Sequence, residues 1–143
     1  MLIRKSVAEV FEAFVDPAVT TKFWFTKSSG RLDTGERVTW EWEMYGVSTP
    51  VDVKAIETNK RILVEWSGAN GPTSVEWVFK PLEDGTTFVS ITNAGFGGNG
   101  DDAVNEAIDS AGGFALVLAG LKALLEHGIH LNLVLDRFPE SCR

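Results

Sequence analysis

The 143-residue chain carries 13 basic against 20 acidic residues, a net charge of −7, and 44% of its residues are hydrophobic. That apolar content can build one domain with its own core, without a disulfide or metal, so a single domain over residues 1–143 is expected. The densest basic group, Lys22, Lys27, Arg31 and Arg37, is scattered rather than gathered on one face, which argues against a nucleic-acid partner.

Ser6 with Glu9 three residues on has capping-box spacing, and Val7, Val10, Phe11 and Phe14 follow at helical intervals, so the sequence predicts a helix over residues 7 to 15. Pro17 ends it by pushing Asp16 out of the helical region and can open a second short helix through Lys22. Phe23, Trp24 and Phe25 then lead into the loop Ser28-Ser29-Gly30, and three adjacent aromatics there need cover from elsewhere.

From Arg37 the period becomes two. Val38, Trp40, Trp42 and Met44 form one face of a strand, followed by Val51, Val53 and Ala55, then Ile62, Val64 and Trp66, then Val75, Trp77 and Phe79. A last strand runs from Thr86 to about Asn93, with its inward set ambiguous between Phe88 and the pair Val89 and Ile91. The turns Thr58-Asn59-Lys60, Asn70-Gly71-Pro72 and Asp84-Gly85 are short, which predicts an antiparallel meander. Glu41, Glu43, Glu65 and Glu76 face outward, so the tryptophan side must be covered.

The cover is a helix capped by Asp101 or Asp102, running to Glu126 or His127 and ended by Gly128. Its roughly 25 residues span about 37 Å, enough to cross a sheet. Val104, Ile108, Ala111, Ala115, Leu118 and Leu125 form the stripe expected to face the sheet. Gly112-Gly113 in mid-helix costs about 1 kcal/mol per glycine relative to alanine, which points to a close approach, a bend or reserved space. Two short N-terminal helices, a curved antiparallel sheet and a long C-terminal helix make an α+β fold in which the sheet grips the helix.

The chemical motifs are sparse. Gly95-Phe96-Gly97-Gly98-Asn99-Gly100 matches G-x-G-x-x-G, but the second parallel strand with its acidic residue would have to fall inside the long helix, so a flexible glycine loop joining strand to helix is the reading. Beside an apolar cavity it could still act as a gate, with Phe96 as its plug. His127 and His130 flank the probable helix end, and without further ligands no metal site is expected. Asp52, Glu57, Asn93, Tyr45 or a histidine remain the general acid or base candidates, while most sheet acids turn outward. Cys142 is the only cysteine, which suits a reducing compartment. With no apolar signal core at the N-terminus and no apolar run of about 18 residues, the expectation is a cytoplasmic protein without a membrane partner.

Four of the five tryptophans, Trp40, Trp42, Trp66 and Trp77, lie on the apolar side of strands. Together with the glycine pair in the facing helix, they leave open either a bulky core or a lined cavity.

Val10-Phe11-Glu12-Ala13-Phe14, Asp16-Pro17, Trp24, Gly46, Gly112-Gly113-Phe114 and the run from Leu121 to Gly128 resemble the SRPBCC (START-like, Bet v 1-like) superfamily, in the branch related to the C-terminal domain of the activator of Hsp90 ATPase. The resemblance implies a helix-grip fold with a deep apolar cavity between sheet and long helix. Relatives usually begin with a full strand, and residues 1 to 5 leave room only for a short one or for an edge shared with another chain, hence an expected homodimer.

The expected function is binding of an apolar or aromatic small molecule without a cofactor, in a cavity lined by Trp40, Trp42, Trp66, Trp77, Phe114 and Leu118, with Trp24 and Phe96 nearer the mouth. The resemblance offers two alternatives, a module that contacts an Hsp90-type chaperone and a polyketide cyclase- or dehydratase-like enzyme. For the enzyme, Tyr45 and His127 are the first residues to test, and no catalytic residue is assigned.

Overall fold

Each period-two segment is a strand of one antiparallel sheet. The computed structural model describes residues 1–143, with strands β1 (Leu2–Ile3), β2 (Lys27–Ser28), β3 (Arg37–Trp42), β4 (Val47–Glu57), β5 (Arg61–Gly68), β6 (Gly71–Pro81) and β7 (Thr87–Ala94) in the spatial order β1-β7-β6-β5-β4-β3-β2. The helices are α1 (Val7–Val15), α2 (Pro17–Thr20), α3 (Gly100–His127) and α4 (Leu133–Asp136).

Cross-strand register stacks the inward residues. Val51 lies opposite both Val38 and Trp66, and Trp77 lies opposite both Ile62 and Ile91. In β7 Val89 is buried and Phe88 is exposed, which resolves the ambiguous face. The register of β4 slips between Val53 and Ala55. Such a bulge reverses the alternation, so Ile56 rather than Ala55 packs on the core, opposite Ile62. Strand β3 also stops short of Met44, which falls in a 3-10 turn over Glu43–Tyr45 closed by Gly46 at φ 62°.

Ser6 accepts the Glu9 N–H at 3.4 Å and starts α1, whose Phe11 and Phe14 rings lie 5.2 and 6.0 Å from Phe79. Asp16 ends α1 and caps α2 by accepting from the Ala18 N–H at 2.9 Å. The buried Thr20 hydroxyl, by donating to the Ala13 carbonyl at 2.6 Å, ties the two helices together.

Asn99 rather than Asp101 or Asp102 caps α3, its side chain accepting from the Asp102 N–H at 2.9 Å. Gly128 at φ 65° ends the helix as expected. The expected contact stripe holds only in its second half, where Leu118 is buried and Leu125 packs against the core. Val104 and Ile108 are 57% and 66% exposed, Ala111 and Ala115 are also outward, and Val117, Leu118, Gly120 and Leu121 supply the buried contacts. The first half of α3 stands off from the sheet across a cavity, so its inward face has no need of aliphatic side chains. Only the second half packs down.

Two clasps hold α3. At its C-terminal end Lys122 Nζ donates to the Leu2 carbonyl at 2.9 Å, and Glu126 accepts the Arg4 N–H at 3.0 Å. Across its middle runs residues 129–143, a strap unseen in the sequence. The Tyr45 hydroxyl donates to the carbonyls of Val134 and Leu135, and Arg143 Nη1 donates to the Met44 carbonyl at 2.8 Å.

Candidate functional site

The cavity between the sheet, the first half of α3 and the strap has a volume of about 430 Å³, a size that suits a small organic molecule. Trp24 sits at the centre of its aromatic wall rather than at the mouth. Its ring lies 4.9 Å from Trp40, 5.7 Å from Phe114, 5.9 Å from Trp77, 6.1 Å from Trp42 and 6.2 Å from Trp66. Stacking of Trp66 on Phe114, centroids 6.0 Å apart, joins the sheet to α3 at this point.

The eight residues singled out from the sequence therefore divide. Trp24, Trp42, Trp66, Phe96 and Phe114 line the cavity. Trp40 and Trp77, each 1% exposed, lie beneath it in the core. Leu118 borders a separate cleft between α3 and β7, which Phe96 and Phe114 also touch. The indole Nε1–H of Trp77 is buried without a partner, a cost of about 1–3 kcal/mol that marks it as a space-filling residue rather than a hydrogen-bonding one.

One end of the cavity is polar, and it carries residues that the apolar pattern did not reveal. Asn93 donates to the Thr73 hydroxyl at 3.1 Å and to the Ser74 carbonyl at 2.7 Å, and its Oδ1 accepts from the Ser110 hydroxyl at 2.8 Å. Glu106 accepts the Ala69 N–H through Oε1 at 3.1 Å, while Oε2 is buried without a partner. Arg137 of the strap donates to Asp109 Oδ1 at 3.0 Å. Glu106, Ser110, Gly113 and Val117, all lining residues, recur at three- and four-residue intervals. That mixed polar and small stripe was the available signal, hidden by the more apolar one on the other side of the helix.

Gly112 and Gly113 now have a reason. A Cβ at either position would stand 3.1 or 2.9 Å from the Arg137 guanidinium, so the pair lets the strap settle against α3. Among the general acid or base candidates, Tyr45 lines the cavity with its hydroxyl committed to the strap carbonyls, Asp52 pairs with Arg37, and Glu57 pairs with Arg61. His127 is exposed at the last turn of α3, and neither it nor His130 reaches the cavity. The glycine loop packs against Asn70, where a Cβ at Gly97 would meet the carbonyl oxygen at 2.5 Å, and the sheet it leaves is wholly antiparallel. By length and composition α3 could also cross a membrane, and here it is the helix that the sheet grips.

A curved antiparallel sheet, a long C-terminal helix and an aromatic cavity between them define a helix-grip protein of the SRPBCC type. The chain belongs to the activator of Hsp90 ATPase homolog 1-like family, whose model matches residues 4–126. It is similar to a protein of Staphylococcus saprophyticus at 30% identity and TM-score 0.76, over 92% of this chain and 91% of that one. The Aha1 dimer from Colwellia psychrerythraea shares the fold at 20% identity and TM-score 0.73, over 90% and 93% of the two chains. CalU16 from Micromonospora echinospora does so at 17% and 0.72, over 94% and 76%. No curated protein matches the sequence significantly.

Proposed function

We propose that the protein binds an apolar or aromatic small molecule in the cavity between the sheet and α3. The observation that carries this reading is the approximately 430 Å³ volume walled by Trp24, Trp42, Trp66 and Phe114. Binding draws on apolar burial at about 25 cal/mol per Å². Titration with fatty acids, sterols, polyphenols and arylalkylamines, followed by tryptophan fluorescence, tests it. A saturable change supports the reading, and no saturable change with any of them sinks it.

Self-association is a second reading, supported by the outward Val104 and Ile108 on α3 and by the dimeric state of the Colwellia relative. Sedimentation of wild type and of Ile108→Glu distinguishes a dimer that the charge disrupts from a monomer. An Hsp90-type partner is supported by the family to which the chain belongs, and absence of both association and ATPase stimulation with such a chaperone would remove it.

A further inference from the structure

Glu106 is a poor choice for the wall of a purely apolar cavity. An ionised carboxylate removed from water is costly unless it is paired, and paired acids usually show it by an adjacent lysine or arginine. Glu106 has no ion pair. Its Oε1 is satisfied by the Ala69 N–H at 3.1 Å, and the bond is held close because Gly68 has no Cβ, which would otherwise press against that oxygen. Its Oε2 is buried with nothing to accept from.

The other charged residues lining the cavity are Asp109 and Arg137, and they neutralise each other at 3.0 Å. Two acids and one base leave a single uncompensated negative charge, at Glu106. The rest of the wall suits an apolar or aromatic body. Trp24, Trp42, Trp66 and Phe114 present aromatic rings within the same cavity, against which such a body packs.

We propose that the natural ligand is an aromatic or apolar molecule bearing a basic amine, whose ammonium group donates to Glu106 while its apolar body fills the aromatic cavity. This rests on the ligand-binding reading above and specifies it. An anionic ligand, such as a fatty acid, is disfavoured at this end of the cavity. A neutral hydroxyl donates to the buried oxygen without the opposite charge, and a hydrocarbon leaves it unpaired.

Three probes of nearly equal shape test the idea: 4-phenylbutylamine, 4-phenylbutanol and 4-phenylbutyrate, titrated calorimetrically against the full chain. A charge-assisted hydrogen bond predicts that the amine binds at least about tenfold tighter than the alcohol, and the carboxylate weakest. Glu106→Gln keeps an oxygen for the Ala69 N–H, and its melting temperature checks that the fold survives. It lowers amine affinity at least about tenfold and alcohol affinity by several-fold less, because the alcohol loses only a neutral hydrogen bond. Equal affinity of amine and alcohol, or an amine affinity unchanged in Glu106→Gln, overturns the proposal while the cavity still counts as a binding site. Failure of all three probes to bind overturns it together with the ligand-binding reading.

Discussion

The guanidinium of Arg137 lies against the backbone of Gly113, its Nη1 only 2.9 Å from where a Cβ would sit. A helix-weakening residue and a charged side chain some two dozen positions later thus form one contact. It places the strap over the cavity, where Val134, Arg137 and Phe138 form part of the wall.

Gly113→Ala tests that contact. The substitution gains up to about 1 kcal/mol of helix propensity. It displaces only the end of a flexible side chain, whose ion pair with the 69%-exposed Asp109 carries little. Global melting therefore holds or rises by up to a few degrees, while amide exchange in residues 129–143 accelerates. Unchanged exchange there would mean that the strap is held by Tyr45 and Arg143 alone.

Trp24 and Trp66 separate folding from binding. Trp24 touches core and cavity rings alike, so Trp24→Ala costs about 3–5 kcal/mol of stability, read by denaturant unfolding. Trp66 is only half-buried, and Trp66→Ala costs less than Trp24→Ala while lowering ligand affinity at least about tenfold through lost aromatic contact. Equal stability losses would place Trp66 in the core instead.

The Glu126 clasp has a pH signature. Burial works to raise this carboxyl, but the Arg4 N–H and the ammonium of Lys122, with His127 nearby, outweigh it and hold the carboxyl below its ordinary 4.5. A carboxyl depressed by folding gives stability that is complete above its unfolded value and is lost as pH falls through its folded value. Glu126→Gln is therefore less stable than wild type by about 1–2 kcal/mol at neutral pH. The gap closes as pH drops below about 4.5. A gap independent of pH down to acid unfolding would refute the assignment.

The sequence made the alternating strands legible because Val38, Trp40, Val51, Ile62, Val64, Val75 and Trp77 obey one period and face one core. It failed where tertiary geometry altered the rule. The bulge after Val53 exchanged Ala55 for Ile56, and nothing in the alternation signals an extra residue. On α3 the more apolar stripe, Val104 to Ala115, faces outward because the opposite stripe borders a cavity and needs Glu106 and Ser110 more than aliphatic side chains. The strap escaped notice because its hold on the domain comes from Tyr45, Arg137 and Arg143, contacts between residues far apart in sequence with no local period.

If the cavity holds a ligand and the core beneath it does not, the indoles of the two regions must respond differently to one. The ¹H–¹⁵N spectrum of the five indole N–H groups, each assigned by a Trp→Phe variant, reads that difference during titration with 4-phenylbutylamine. Saturable shifts are predicted for Trp24, Trp42 and Trp66, with Trp40 and Trp77 following weakly or not at all. Indole signals that stay fixed to the solubility limit of the probe, or shifts largest at Trp40 and Trp77, would contradict binding in the cavity.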